Sequence, residues 1–266
     1  MTLQYNQLKN NHFLVAGPCV IESAELLDEV AAELKDIASK LPFTIIFKAS
    51  FDKANRTSIN AFRGPGMEKG LQMLSDIKSK YGFPILSDIH ESYQAEPVAE
   101  VCDILQIPAF LCRQTDLLIA AAETGKIINV KKAQFLSGQD MKHVVSKIEE
   151  AGNSKIILTE RGSMFGYNNL VVDYTGILDM MQLGYPVMMD ATHSVQKPGG
   201  AGGKSGGNRA YAPLLAQAAA AIGVKGFFIE THPKPEEALS DGPNMIYLNE
   251  LEKLLVKLMK VSNAID

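Results

Sequence analysis

Short apolar runs that turn polar at their C-terminal ends recur eight times along the chain. They are FLVAGPC (13–19), TIIFKASF (44–51), PILSDI (84–89), ILQIPAF (104–110), KIINVKK (126–132), KIILTERG (155–162), PVMMDATH (186–193) and GFFIETH (226–232). Runs of this length, rich in Ile, Val and Phe, read as buried strands. Between them lie amphipathic or Ala/Leu-rich stretches such as AELLDEVAAELKDIAS, MKHVVSKIEEAG and YAPLLAQAAAAIG, and a last helix, NELEKLLVKLMKV, follows the eighth strand. Strand starts fall 20 to 40 residues apart, which leaves room for one helix per crossover. The pattern predicts an α/β chain: a single-domain (β/α)8 TIM barrel over 13–266, behind a polar lead-in at 1–12. A doubly wound open sheet would need a Gly-rich turn after the first strand, where the chain reads Cys19-Val20-Ile21-Glu22-Ser23.

Composition narrows the function. The 266 residues carry 26 basic and 30 acidic side chains, a net charge of −4, which argues against a nucleic-acid binder. No apolar run approaches the roughly 20 residues of a membrane span. The polar start MTLQYNQLKNNH is unlike a signal peptide, so a cytoplasmic protein is expected. Three cysteines at irregular spacing exclude a disulfide framework and leave packing, metal or catalytic roles.

The basic residues are unevenly distributed. Twenty-one are lysines and five are arginines, and all five arginines fall in strand-to-helix segments. Arg56 and Arg63 follow the second strand, Arg113 the fourth; Arg161 ends the sixth, and Arg209 lies after the seventh. Lys48, Lys53, Lys131 and Lys132 join them at strand ends. Barrel active sites sit at the C-terminal ends of the strands, and arginine's planar fork suits phosphate and carboxylate. The alternatives are scattered loop arginines or a polyanion pocket. A second set, Cys19, His193, Glu230 and Asp241, ends strands one, seven and eight or the turn that follows; closure makes those strands neighbours. One thiolate, one imidazole and two carboxylates suit a divalent transition metal, although each residue alone also fits a packing role. The loop PGGAGGKSGGNR (198–209) departs from a Walker A loop at Pro198 but can approach a phosphate through Lys204 and Ser205. Cys102 and Cys112 read as core and His143 as solvated, whereas Asp88, His90 and His232 end strands and fit either a pocket or a structural role.

The segments AGPCVIES, FKASFDKANRTS, SDIHE, QIPAFLCRQTDLL, NVKKAQF, TERGSMFGYNNLVVD, DATHSVQKPGG and ETHPKPEEALSDGPN together resemble the 3-deoxy-D-manno-octulosonate 8-phosphate synthases, in order and over nearly the whole chain. The resemblance implies condensation of phosphoenolpyruvate with D-arabinose 5-phosphate and water, in the cytoplasm, for the inner-core sugar of lipopolysaccharide. It also implies a homotetramer. Cys19 after Gly-Pro, with SDGP later, resembles the class that uses one divalent metal ion, zinc, iron, manganese or cobalt. That metal would be held by Cys19, His193, Glu230 and Asp241. Phosphoenolpyruvate would meet Lys53, Lys131, Arg161 and Arg113, and the sugar phosphate Asn55, Arg56, Ser58 and Ser205, with Lys48 and Asp88 lining the pocket. Catalytic roles fall to Cys19, His193, Lys53 and Asp241. Roles for Arg63, Arg209, His90 and His232 stay open. The closest alternative is the sister 3-deoxy-D-arabino-heptulosonate 7-phosphate synthases, which use erythrose 4-phosphate; they usually carry KPRTS where this chain has KANRTS, so Asn55 favours the arabinose phosphate reaction.

Overall fold

The computed structural model describes residues 3–56, 58–197 and 206–265. Eight parallel strands form the barrel: β1 (Phe13–Gly17), β2 (Thr44–Lys48), β3 (Ile85–Asp88), β4 (Ile104–Ile107), β5 (Ile127–Lys131), β6 (Ile156–Glu160), β7 (Val187–Asp190) and β8 (Gly226–His232). Each pairs with the next, and β1 pairs with both β2 and β8, so the sheet is closed. Eight helices cover it: α1 (Ala24–Lys40), α2 (Met67–Tyr81), α3 (Ala95–Val101), α4 (Thr115–Glu123), α5 (Met141–Glu150), α6 (Tyr174–Met181), α7 (Ala212–Ala221) and α8 (Leu248–Ile265). The predicted TIM barrel is therefore the observed fold.

Helix α1 shows how the sequence dictates its crossover. The Ser23 hydroxyl accepts a hydrogen bond from the Leu26 amide and caps the first turn. Leu27, Val30, Ala31, Leu34 and Ile37 then repeat at helical spacing and are all buried against the sheet.

Strand alternation sorts the core into two shells. Outward residues such as Leu14, Phe47, Leu105, Ile128, Leu158, Met189 and Phe227 pack with the helices. Inward residues Phe13, Val15, Ile46, Leu86, Ile104, Ile127, Ile157, Met188 and Phe228 form a separate cluster. Leu8 joins that inner cluster, and the Tyr5 hydroxyl donates to the Ile156 carbonyl at 2.8 Å, so the lead-in lies across the strands' N-terminal end. Two residues further along the inward series the chemistry changes to Lys48, Asp88, Gln106, Asn129, Thr159, Asp190 and Glu230, all buried.

Most strands end earlier than the runs that predict them, and two show why. β4 stops at Ile107 because Pro108 leads into a 3-10 turn at Ala109–Leu111. β7 stops at Asp190, whose carboxylate accepts from the His193 amide at 2.9 Å while its carbonyl accepts from the Ser194 hydroxyl at 2.6 Å. These bonds turn the chain off the sheet and bring His193 over the barrel mouth.

Candidate active site

Four side chains from three adjacent strands converge at one corner of the mouth. Gly17 of β1 is in register with Glu230 of β8, which places Cys19 beside that carboxylate. One ligand atom each from Cys19, Glu230 and Asp241 lies within 4.8 Å of the others. His193 Nε2 stands 3.6 Å from Glu230 Oε1 and 4.0 Å from Asp241 Oδ2. Glu230 Oε2 is buried with no hydrogen-bond partner among the described residues. A buried carboxylate oxygen left in that state is costly unless a cation meets it. Sulfur, imidazole nitrogen and carboxylate oxygen at this spacing fit a borderline divalent metal.

Gly17 is required for the approach of β1 to β2. A Cβ built there would lie 2.0 Å from the Lys48 carbonyl oxygen, a backbone atom that cannot swing away. Gly17→Ala is expected to destabilise the protein by about 1–3 kcal/mol, read from denaturant unfolding; an unchanged midpoint would contradict the close approach.

A cationic wall faces the acidic corner. Lys48 Nζ donates to the Cys19 carbonyl at 2.8 Å and to Glu230 Oε1 at 3.0 Å, and stands 4.0 Å from Asp88. Lys131 Nζ donates to Asp190 Oδ2 at 2.5 Å and lies 3.6 Å from the centroid of the Phe228 ring. Asp190 Oδ2 also lies 2.8 Å from His193 Nδ1, so it orients the imidazole with Nε2 toward the acidic corner. Lys53 acts electrostatically on Cys19, Glu230, Asp88 and Asp241. Arg161 donates through Nη2 to Gln196 Oε1 at 2.8 Å, and its Nη1 is buried without a partner among the described residues.

These charges tune one another. Burial pushes the Asp190 carboxyl upward, but His193 and Lys131 outweigh it and hold it well below the usual carboxylate range. Asp241 follows the same rule, with Lys53 and His193 outweighing burial. Burial drives the Cys19 thiol far up, and Glu230 adds to it. Burial also lowers Lys131 and Arg161. The mouth thus holds ionised carboxylates against cations that have been stripped of water.

The other side of this layer is a chain of neutral and acidic groups. Asp88 accepts from Ser50 Oγ at 2.7 Å and from Gln106 Nε2 at 3.0 Å. Gln106 Oε1 accepts from Asn129 Nδ2 at 2.8 Å, and Asn129 Oδ1 from Thr159 Oγ1 at 2.6 Å. Each strand from β3 to β6 contributes one link, which fixes the floor of the mouth.

The segment after β2 is more open. Asn55 and Ser58 are exposed, whereas Arg56 is half-buried: its Nε donates to the Phe62 carbonyl at 3.0 Å and its Nη2 is buried without a partner among the described residues. Arg113 is exposed. Arg63 pairs with Asp52 and is itself exposed. Arg209 donates to the Gly242 carbonyl and stacks over Tyr247 at 4.5 Å, beside the Asp241 turn. His90 Nε2 stands 3.9 Å from Asp88, and His232 Nδ1 accepts from the Lys234 amide. Lys204 and Ser205 lie outside the described residues.

One grouping made from the sequence is corrected. Lys132 does not join Lys131 at the mouth: adjacent strand residues face opposite sides, and Lys132 lies 3.5 Å from the buried Glu160 outside the barrel. Glu160 in turn accepts from the Arg161 and Gly162 amides, which holds the loop carrying Arg161. Sequence reasoning missed Ser50, Gln106, Asn129, Thr159, Asp190, Gln196 and Ser240. Position was a usable signal for four of them: Asp190 ends β7, Gln106 and Thr159 stand next to last in β4 and β6, and Gln196 follows the His193 turn, whereas Asn129 lies in the middle of β5.

A family model described as the DAHP synthetase I family matches residues 7–266. The chain is 58% identical over 252 residues to the 2-dehydro-3-deoxyphosphooctonate aldolase of Cyanothece sp., covering 95% of this chain and 92% of that protein. It is 57% identical over 258 residues to the protein of the same name from Fusobacterium nucleatum, covering 97% and 91%. The protein of that name from Brucella abortus is 56% identical over 246 residues, covering 92% and 89%. With the closed barrel and its converging mouth, a match over almost the whole length makes this chain a member of the DAHP synthetase I family.

Proposed function

We propose that this chain condenses phosphoenolpyruvate with D-arabinose 5-phosphate and water, giving 3-deoxy-D-manno-octulosonate 8-phosphate and inorganic phosphate. The observation that carries the reading is near-full-length identity of 56–58% to proteins named 2-dehydro-3-deoxyphosphooctonate aldolase. The chemistry of the mouth agrees with it. Two phosphates and a carboxylate must be held together, and Lys53, Lys131, Arg161 and Arg56 supply cations on three sides.

In this reading Arg161 and Lys131, with Lys53 and Arg113, take the phosphoenolpyruvate anion. Asn55, Arg56, Ser58 and Ser205 take the sugar phosphate, while Lys48 and Asp88 line the space between them. C3 of phosphoenolpyruvate attacks the aldehyde carbon, the carbonyl π pair moves to the aldehyde oxygen, which takes up a proton, and positive character develops at C2. Water captures C2 and gives one proton to a basic group in the mouth, which replaces the proton taken by the aldehyde oxygen. The bond from C2 to the former enol oxygen then breaks, phosphate departs with that oxygen and the remaining hydroxyl proton, and C2 is left as the ketone. Preorganised cations stabilise the charge that grows on the leaving phosphate without reorganising at the moment of reaction. Cys19, His193, Glu230 and Asp241 would hold one divalent ion, zinc, iron, manganese or cobalt, which when bound supplies Lewis acidity or lowers the pKa of a water. Asp190 keeps His193 aimed at that position.

We further propose a homotetramer working in the cytoplasm, in lipopolysaccharide inner-core sugar synthesis. Exposed Phe110, Phe135, Phe165, Tyr211 and Leu214 follow β4 to β7 on one side of the rim and support burial against another copy. No helix among the described residues is long and apolar enough to cross a membrane.

The test is phosphate release from phosphoenolpyruvate with each aldose phosphate in turn. Arabinose 5-phosphate is expected to exceed erythrose 4-phosphate in kcat/KM by at least about a hundredfold, the scale set by well-placed hydroxyl recognition. Equal or reversed preference would assign the chain to the shikimate-type reaction.

A further inference from the structure

We infer that Gln196 is a positioning residue that couples the metal-ligand corner to the anion-binding guanidinium, so that filling one site tightens the other. The inference rests on the condensing reaction proposed above and adds a linkage between its two binding sites.

Gln196 begins a short ladder just past the His193–Val195 turn, pairing with Gly207. Its Nε2 donates to Asp241 Oδ1 at 3.0 Å, and its Oε1 accepts from Arg161 Nη2 at 2.8 Å. A guanidinium only donates and a carboxylate only accepts, so both partners dictate the same amide orientation. A flipped amide would lose both bonds. The series extends one link further, because Cys19 Sγ lies 3.1 Å from the other oxygen of Asp241. Four side chains therefore run from the thiol to the guanidinium without a gap.

The Asp241 end of this series is firmly held. Asp241 has φ +50°, an uncommon conformation for a residue other than glycine. Its carbonyl accepts from the Asn244 amide at 2.9 Å, and Arg209 donates to the Gly242 carbonyl beside it. The ladder itself presses on this turn: a Cβ at Gly207 would fall 1.4 Å from Asn244 Oδ1. The strand that carries Gln196 is thus packed closely against the turn that carries Asp241.

Gln196 also acts as a spacer. Asp190, Glu160 and Asp241 all attract Arg161. The neutral amide between Arg161 and Asp241 lets the guanidinium approach the acidic corner without collapsing onto it. The Arg161 Nη1, which has no partner among the described residues, is then left for an incoming anion.

Gln196→Met keeps the length of the side chain and removes both hydrogen bonds. Calorimetric titration of Mn2+ into the metal-stripped protein, with and without phosphoenolpyruvate, reads the coupling directly. In the unsubstituted protein phosphoenolpyruvate is expected to tighten Mn2+ binding by about fivefold or more, and in Gln196→Met by less than about twofold. Thermal unfolding of both proteins checks that the fold is kept. A variant that retains the full coupling, or an unsubstituted protein that turns over but shows none, overturns the inference alone. Failure of the unsubstituted, metal-loaded protein to release phosphate with arabinose 5-phosphate overturns the proposed reaction, and the inference falls with it.

Discussion

Arg161→Met is expected to lower kcat/KM for phosphoenolpyruvate by about 10²- to 10³-fold without lowering the thermal midpoint. Arg161 is 5% exposed, and its nearest hydrogen-bond acceptor is the neutral amide of Gln196. Its Nη1 has no partner among the described residues. A guanidinium buried in that state is a burden on stability until an anion arrives, as the downward push on its pKa by burial also indicates. Exchange for an apolar side chain of similar length relieves the burden and removes the anion site. Inorganic phosphate offers a second readout. At about 100 times its Kd a ligand specific for the folded state adds about 2.7 kcal/mol, and the resulting rise in midpoint is expected to be smaller in the variant. Arg161→Lys restores the charge but not the fork and is expected to recover only part of the activity. Wild-type turnover in Arg161→Met would remove Arg161 from the site.

The barrel was legible in the sequence because its strands are buried on both faces and read as unbroken apolar runs, such as TIIF and KIIL. Their C-terminal limits were not legible, because bonds between side chain and backbone set them. Asp190 ends β7 through the His193 amide, and apolar patterning carries no record of that bond. Charged members of the site stood out against a helix surface built on lysine, so Arg161, Lys48 and the acidic corner were visible as types. Gln196, Gln106 and Asn129 were not, since an uncharged amide looks the same in a loop, a helix face or a pocket. Their roles follow from which atom each bonds, and for Gln106 and Asn129 that is fixed only when residues 18 and 23 positions apart in sequence are brought into register. Lys132 shows the converse error. Its type matched the site, but strand alternation sent it outward to Glu160.

Exhaustive chelation is expected to lower phosphate release by about a thousandfold or more, and an added divalent transition metal to restore it. Loss of a bound Lewis acid removes several kcal/mol of charge stabilisation, and about 4 kcal/mol corresponds to that factor. The fold should survive, because Lys48 donates to Glu230 at 3.0 Å and Lys53 acts electrostatically on Cys19, Glu230, Asp88 and Asp241. Those two ammonium groups offset the carboxylates when no metal is present. Cys19→Asn separates the ligand role of the thiolate from its packing role. Cys19 is fully buried, with Ser240 Oγ at 3.0 Å and Asp241 Oδ2 at 3.1 Å, and an asparagine amide can reach the same two oxygens. Stability is therefore expected to change little. The metal would nevertheless exchange a soft anionic ligand for a weak neutral one, and affinity for zinc is expected to fall by at least about a hundredfold, measured by equilibrium dialysis against a competing chelator. Wild-type zinc affinity in Cys19→Asn would show that the thiol is packing alone. Full activity in protein verified free of metal would remove the whole corner from the chemistry, leaving Lys48 and Lys53 as its cations.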